Sequence, residues 1–238
     1  FVMFKLFLTL LFLVLPDLSS TTPVIREHDW WIARNAQLQE NVNRIGSDAK
    51  VIFIGDSITQ GWEGNGAVIW QQTFAPFNAI NLGIGGDRTE HVLWRMQNGN
   101  LRGLAPDVAV VMIGTNNFGQ EESDSTGVVL DGVVAVVEQL KNSLPNVHVL
   151  LLDIFPRGKS FNAMRGSILQ VNQALKATFA KDSRVSFFPI GHLFIEEDGS
   201  INPEIMPDYL HLSKQGYQIW ADAITPRVRC YYTPGVSD

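Results

Sequence analysis

Residues 51–61 read Val-Ile-Phe-Ile-Gly-Asp-Ser-Ile-Thr-Gln-Gly. Four apolar residues run straight into a glycine and two small polar residues. A continuous apolar run of this length describes a strand covered on both faces, as in parallel sheets. The pattern returns at Asp107–Ile113 (DVAVVMI), Val147–Ile154 (VHVLLLDI) and Val185–Phe188, and more weakly at Phe77–Leu82. Helical periodicity fills the intervals over Thr89–Leu101, Thr126–Leu144, Asn162–Ala180 and Ser213–Val228, and Asp29–Val42 forms a helix ahead of the first strand. Thr89 and Ser213 are candidate N-caps. Strands alternating with helices predict an α/β fold, a parallel sheet with helices on both faces. Ligands of such sheets collect beyond the carboxyl ends of the strands, so the residues placed there carry the functional question.

Ser57 follows the first strand directly and can be presented at the start of a helix, its hydroxyl facing the crevice. The Gly-x-Ser-x-Gly elbow is not met, because Thr59 stands where the second glycine belongs. The second strand ends in Asn81-Leu82-Gly83-Ile84-Gly85-Gly86-Asp87, where glycines allow a backbone N–H to approach a small anionic atom. Arg88 occupies the third glycine of a dinucleotide fingerprint, and no Gly-Lys-Ser/Thr follows for a P-loop. The third strand ends in Gly114-Thr115-Asn116-Asn117, which offers a side-chain amide. Asp208-Tyr209-Leu210-His211 precedes the last helix and pairs a base with a carboxylate. Each segment alone also fits an ordinary turn. In this order and placement they supply a nucleophile (Ser57), a base (His211) and an orienting acid (Asp208). They also supply three oxyanion donors: the Ser57 N–H, the Gly86 N–H and the Asn116 amide. That set suits acyl transfer.

Composition narrows the field. With 18 basic and 24 acidic residues the net charge is −6, which argues against a nucleic-acid partner. The histidines at 28, 91, 148 and 192 show no metal-ligand spacing, so no metal is expected. Cys230 is the only cysteine and forms no internal disulfide. Phe1–Val14 is apolar apart from Lys5 and is followed by Pro16 and Ser19-Ser20, the pattern of a secretory leader. The run is shorter than the roughly 20 residues a membrane span needs, although an uncleaved anchor is the alternative reading. Residues 1–20 are therefore assigned to the leader, residues 21–238 to one domain, and the protein to the secreted class.

The segments VIFIGDSITQGW, NLGIGGDRTEHVLWRMQNGNL, VVMIGTNN, DIFPRG and DGSINPEIMPDYLHLSKQGY resemble the SGNH (GDSL-like) hydrolase superfamily over about residues 29–228. Within it they are most similar to the platelet-activating factor acetylhydrolase catalytic subunits and their bacterial relatives. The resemblance implies a flavodoxin-like three-layer α/β/α sandwich, no cofactor, and the same roles for Ser57, Asp208, His211, Gly86 and Asn116. Asn117 departs from the wider pattern, which often has Asp there, and agrees with the acetylhydrolase-like branch. The WD-repeat partner of the best-known members is not carried over to a chain read as exported. Ile58 and Leu210 flank the serine and histidine, and Thr115 precedes Asn116. These three are expected to crowd the acyl pocket and favour acetyl or other short acyl esters of a carbohydrate or lipid. A homo-oligomer is compatible with the sequence. Trp62, just past the serine turn, is a candidate for the crevice, whereas Trp94 and one of Trp30 and Trp31 are expected in the core.

Overall fold

The computed structural model describes residues 17–119 and 123–232, so the apolar part of the expected leader lies outside the described residues. In chain order the elements are α1 (Asp29–Ile45), β1 (Val51–Gly55), α2 (Ser57–Gln60), α3 (Ala67–Thr73), β2 (Ile80–Gly83), α4 (Thr89–Arg95), β3 (Val108–Met112), α5 (Thr115–Phe118), α6 (Thr126–Ser143), β4 (His148–Leu152), α7 (Ala163–Thr178), β5 (Val185–Phe188) and α8 (Lys214–Tyr231). All strands are parallel, in the order β2-β1-β3-β4-β5. The order reverses at β1, which makes the gap between the ends of β1 and β3 the switch point of a doubly wound sheet.

Strand alternation sorts the core into two layers. Ile52, Ile54, Ala109, Val111, Val149 and Leu151 face α1, α4, α6 and α7, while Val51, Phe53, Val110, Met112, Leu150 and Leu152 face α3 and α8. The second layer is aromatic: Phe53, Trp62, Trp70, Phe74 and Trp220 pack with ring centroids 4.8–6.4 Å apart. Such offset and edge contacts add to the burial energy of the rings. Trp62 is fully buried in this layer, which corrects its assignment to the crevice. Trp31 is buried and Trp30 exposed, and Trp94 packs against the other layer.

Several boundaries differ from the sequence expectation, two of them through turn chemistry. The helix from Thr89 ends at Arg95, and Met96–Asn100 forms a wider turn in which Gly99 takes φ +117°. The Asn-Gly-Asn run favours that turn over a continued helix. The second strand begins at Ile80 rather than Phe77, because Ala75–Phe77, with Pro76 in its first turn, forms a short 3-10 turn that closes on Asn78 in the left-handed region. Ser213 caps α8 through the Gly216 N–H, as expected. Thr89 does not cap α4; there the His91 ring accepts the Arg88 N–H at 3.0 Å. Among the described residues no helix is long and apolar enough to cross a membrane.

Residues 18–28 form a strap ahead of α1. Ser20, counted with the leader from sequence, is fully buried, donates to the Val128 carbonyl at 2.6 Å and accepts from Thr89 Oγ1 at 3.0 Å. Farther along, the Val24 N–H donates to Glu90 O at 3.2 Å, and the Arg26 guanidinium reaches the loop after β2, with Nη1 2.9 Å from Gly85 O.

Candidate active site

At the switch point the chain places one polar turn after β1 and another after β3. Asp56 caps α2, its Oδ1 accepting the Ile58 N–H at 2.9 Å, and so sets Ser57 at the first helical position. The Ser57 Oγ lies 2.8 Å from His211 Nε2. The other ring nitrogen, Nδ1, is 2.6 Å from Asp208 Oδ2. A carboxylate accepting from Nδ1 fixes the tautomer that leaves the Nε2 lone pair toward the hydroxyl.

The Asp208 turn is tight. Its Oδ1 accepts the N–H groups of Leu210 and His211 at 3.0 and 2.7 Å. This curvature puts Tyr209 at φ +60°, an uncomfortable region for a residue with a Cβ, and the Gly158 N–H holds its carbonyl at 2.8 Å. Partial burial works against the Asp208 carboxylate, but the His211 ring and the two N–H groups outweigh it and hold its pKa below the ordinary value. The His211 and Asp208 side chains are 44% and 56% exposed, so the pair opens to water.

The loop after β2 abuts the serine: a Cβ on Gly85 would lie 3.7 Å from Ser57 Cβ. Gly86 takes φ +72°. Among the described residues its N–H has no acceptor, whereas the neighbouring Gly85 N–H is held by Gln60 Oε1 at 2.7 Å. From α5, Asn116 Nδ2 donates to Asp87 O at 2.9 Å, which orients the amide and leaves a second N–H. Ser57, Gly86 and Asn116 thus meet at one crevice. Of the residues expected around an acyl group, Ile58 and Thr115 are almost wholly buried and Leu210 is partly exposed.

The profile of the GDSL-like lipase/acylhydrolase family matches residues 53–219. The chain is 40% identical over 170 residues to the human platelet-activating factor acetylhydrolase IB subunit alpha1, covering 71% of each protein. The chain belongs to the GDSL-like lipase/acylhydrolase family. Its fold is shared by a GDSL-like lipase from Bacteroides thetaiotaomicron (TM-score 0.66, 21% identity, 84% of this chain and 96% of the other). It is also shared by an acetylxylan esterase from Geobacillus stearothermophilus (TM-score 0.59, 20% identity, 77% and 95% covered). The protein is a hydrolase of ester bonds.

Two buried networks hold this acylhydrolase's crevice in shape. Asp87, fully buried, accepts from Arg95 Nε at 2.8 Å and Trp31 Nε1 at 2.6 Å, and Arg95 Nη2 donates to Gly55 O at 3.0 Å. Arg95 thereby ties the serine turn to the Gly86 turn. Burial raises the Asp87 pKa and lowers that of Arg95, while their mutual attraction opposes both shifts. In the second network the Asn117 amide donates to Thr89 Oγ1 at 3.2 Å, Glu90 Oε2 at 3.3 Å and Asp124 Oδ2 at 2.9 Å. Arg88 bridges the same two carboxylates at 2.8 and 2.7 Å.

Sequence reasoning gave Arg95 and Arg157 no role. The Arg157 Nη1 donates to Thr115 O and Oγ1 at 3.2 and 3.3 Å, bracing the segment that carries Asn116. Their signals lay in the HVLWR and DIFPRG segments, where an arginine follows apolar residues. Among the described residues no cluster of His, Cys, Asp or Glu could hold a metal. An apolar groove of about 460 Å³, walled by Phe161, Ile168, Leu169, Phe187 and Ile195, contains none of the triad residues.

Proposed function

We propose that this acylhydrolase is a serine esterase for short-chain, chiefly acetyl, esters, working through Ser57, His211 and Asp208 and an acyl-enzyme. The observation that carries this reading is the unbroken chain from Ser57 Oγ to His211 Nε2 (2.8 Å) and from Nδ1 to Asp208 (2.6 Å). His211 takes the Ser57 proton as Oγ bonds to the ester carbonyl carbon, and the carbonyl electron pair moves onto oxygen. The Ser57 and Gly86 N–H groups and the Asn116 amide stabilise that oxyanion. Collapse breaks the bond to the alcohol, which leaves with the proton from His211. Water repeats the sequence on the acyl-enzyme and frees the acid.

The short-acyl reading rests on Ile58, Thr115 and Leu210 adjoining the serine, the Asn116 amide and the histidine in sequence; Ile58 and Leu210 pack with the aromatic layer, and Arg157 holds Thr115. Two proteins similar to this chain support the acetyl preference, being named as an acetylhydrolase and as an acetylxylan esterase. Their names give platelet-activating factor and acetylxylan, and for this chain a lipid or a carbohydrate alcohol suits a crevice open to water at His211. Export through the N-terminal leader belongs to the same proposal.

The test compares p-nitrophenyl acetate, butyrate and octanoate as substrates of the wild-type protein and of Ser57→Ala. Acetate turnover is expected to fall by at least about 10³-fold in the variant. Unchanged turnover in Ser57→Ala, or rates rising through octanoate, would refute the corresponding half of the proposal.

A further inference from the structure

The strap ahead of α1 lies outside residues 53–219, the segment matched by the family, yet it touches the oxyanion loop. Arg26 Nη1 donates to Gly85 O at 2.9 Å and lies 3.7 Å from Asp87 Oδ1, and its guanidinium stacks over the Trp30 ring at 4.9 Å. The carbonyl it holds and the Gly86 N–H belong to one peptide unit. That unit is planar and trans, so the C=O and N–H point in opposite directions and cannot be oriented independently. Residues 85 and 86 are both glycine, and Gly86 already sits at φ +72°. Such a peptide can flip at low steric cost, which would turn a carbonyl toward the crevice in place of the donor. The flanking groups are pinned separately, the Gly85 N–H by Gln60 and the Asp87 carbonyl by Asn116. Among the described residues Gly85 O has only Arg26 as a partner.

We infer that Arg26 is a positioning residue for the reaction: it locks the Gly85–Gly86 peptide with the Gly86 N–H available to the oxyanion. The strap is thus a working part of the active site. The inference rests on the reading of Gly86 as an oxyanion donor. A cation on the carbonyl also polarises the amide and strengthens its N–H as a donor.

The experiment measures kcat, KM and melting temperature on p-nitrophenyl acetate for wild type, Arg26→Met, Arg26→Ala, Arg26→Lys and Ser57→Ala, with the affinity of a boronic acid as a tetrahedral analogue. In Arg26→Met, kcat is expected to fall about 10-fold or more with KM within about two-fold, and boronate affinity to fall in parallel. Arg26→Lys should keep most of the activity, and millimolar guanidinium ion should restore Arg26→Ala. The Arg26 side chain is 17% exposed, so the added ion can reach the vacated place. A kcat within two-fold of wild type in Arg26→Met overturns the inference. So does a loss that neither lysine nor guanidinium ion recovers, because that marks the strap as packing alone. Unchanged turnover in Ser57→Ala instead defeats the proposed function, so the two failures are separable.

Discussion

Asn117 shows how narrow the requirements on a single side chain become beside a crevice. Its Nδ2 group donates toward Glu90 and Asp124 while its Oδ1 accepts the Thr89 N–H at 3.2 Å. Aspartate has the same shape and no donor. Arg88 is already shared between both carboxylates, so a third carboxylate beside them adds repulsion. Asn117→Asp should therefore lower stability by about 1–3 kcal/mol, read from the urea midpoint, as buried acceptors lose their donor. From sequence this residue registered only as a departure from a wider pattern, because its partners Glu90 and Asp124 lie on other elements. Asp208 and His211 were legible for the opposite reason: three residues apart on one turn, they needed no fold to bring them together. Ser57 was legible through its place after a buried strand. Trp62 misled because its place just past α2 says nothing about which way the ring turns, and the aromatic layer under β1 claimed it.

Elements were legible where their burial was one-sided or complete, and boundaries were lost where turn chemistry intervened. Helix α6 is rich in valine, a poor helix former, and holds because Val129, Val133, Val136 and Val137 are buried against the sheet. Its Gly132 marks the crossing with α4 and the strap: a Cβ there would come within 2.3 Å of Thr89 Oγ1 and 2.9 Å of Ser20 Cβ. Gly166 in α7 has nothing within 4 Å of the same added atom. The two glycines give opposite forecasts for one substitution. Gly166→Ala should stabilise by about 0.5–1 kcal/mol through helix propensity. Gly132→Ala should cost about 1–3 kcal/mol by prising α6 from α4. Thermal denaturation of both variants checks the pair, and equal shifts would contradict the crossing geometry. The helix from Thr89 was read too long because its apolar period outlasts Arg95, and the Asn-Gly-Asn turn then overrides that period.

At the scale of the whole molecule, stability should carry the mark of one buried carboxyl. Asp56 is fully buried, its Oδ2 has no partner among the described residues, and burial pushes its pKa from 3.8 to about 7. The Ile58 N–H and the charges of His211 and Arg157 pull the other way, while that of Asp87 adds to the rise. A folded pKa above the unfolded one means the folded chain holds more protons between those values. The associated stability is complete below about pH 4 and is lost as pH climbs through about 7. Asp56→Asn keeps an acceptor for Ile58 and removes the titration. Its stability relative to wild type should rise between about pH 4 and 7, by on the order of 2–4 kcal/mol, and level off above. Urea melts across that range would show a flat difference if the carboxyl were ionised throughout. The parallel sheet with helices on both faces followed from apolar runs visible in the sequence, but nothing in composition announced that the chain before α1 would reach the reaction centre. If the proposed leader is removed, that strap makes the point of cleavage a chemical decision. Cleavage ahead of Leu18 leaves the buried Ser20 hydroxyl on Val128 and its carbonyl under Thr89. Cleavage after Ser20 deletes both bonds and creates an ammonium group at Thr21, and a peptidase shifted by three residues would mature a differently anchored enzyme.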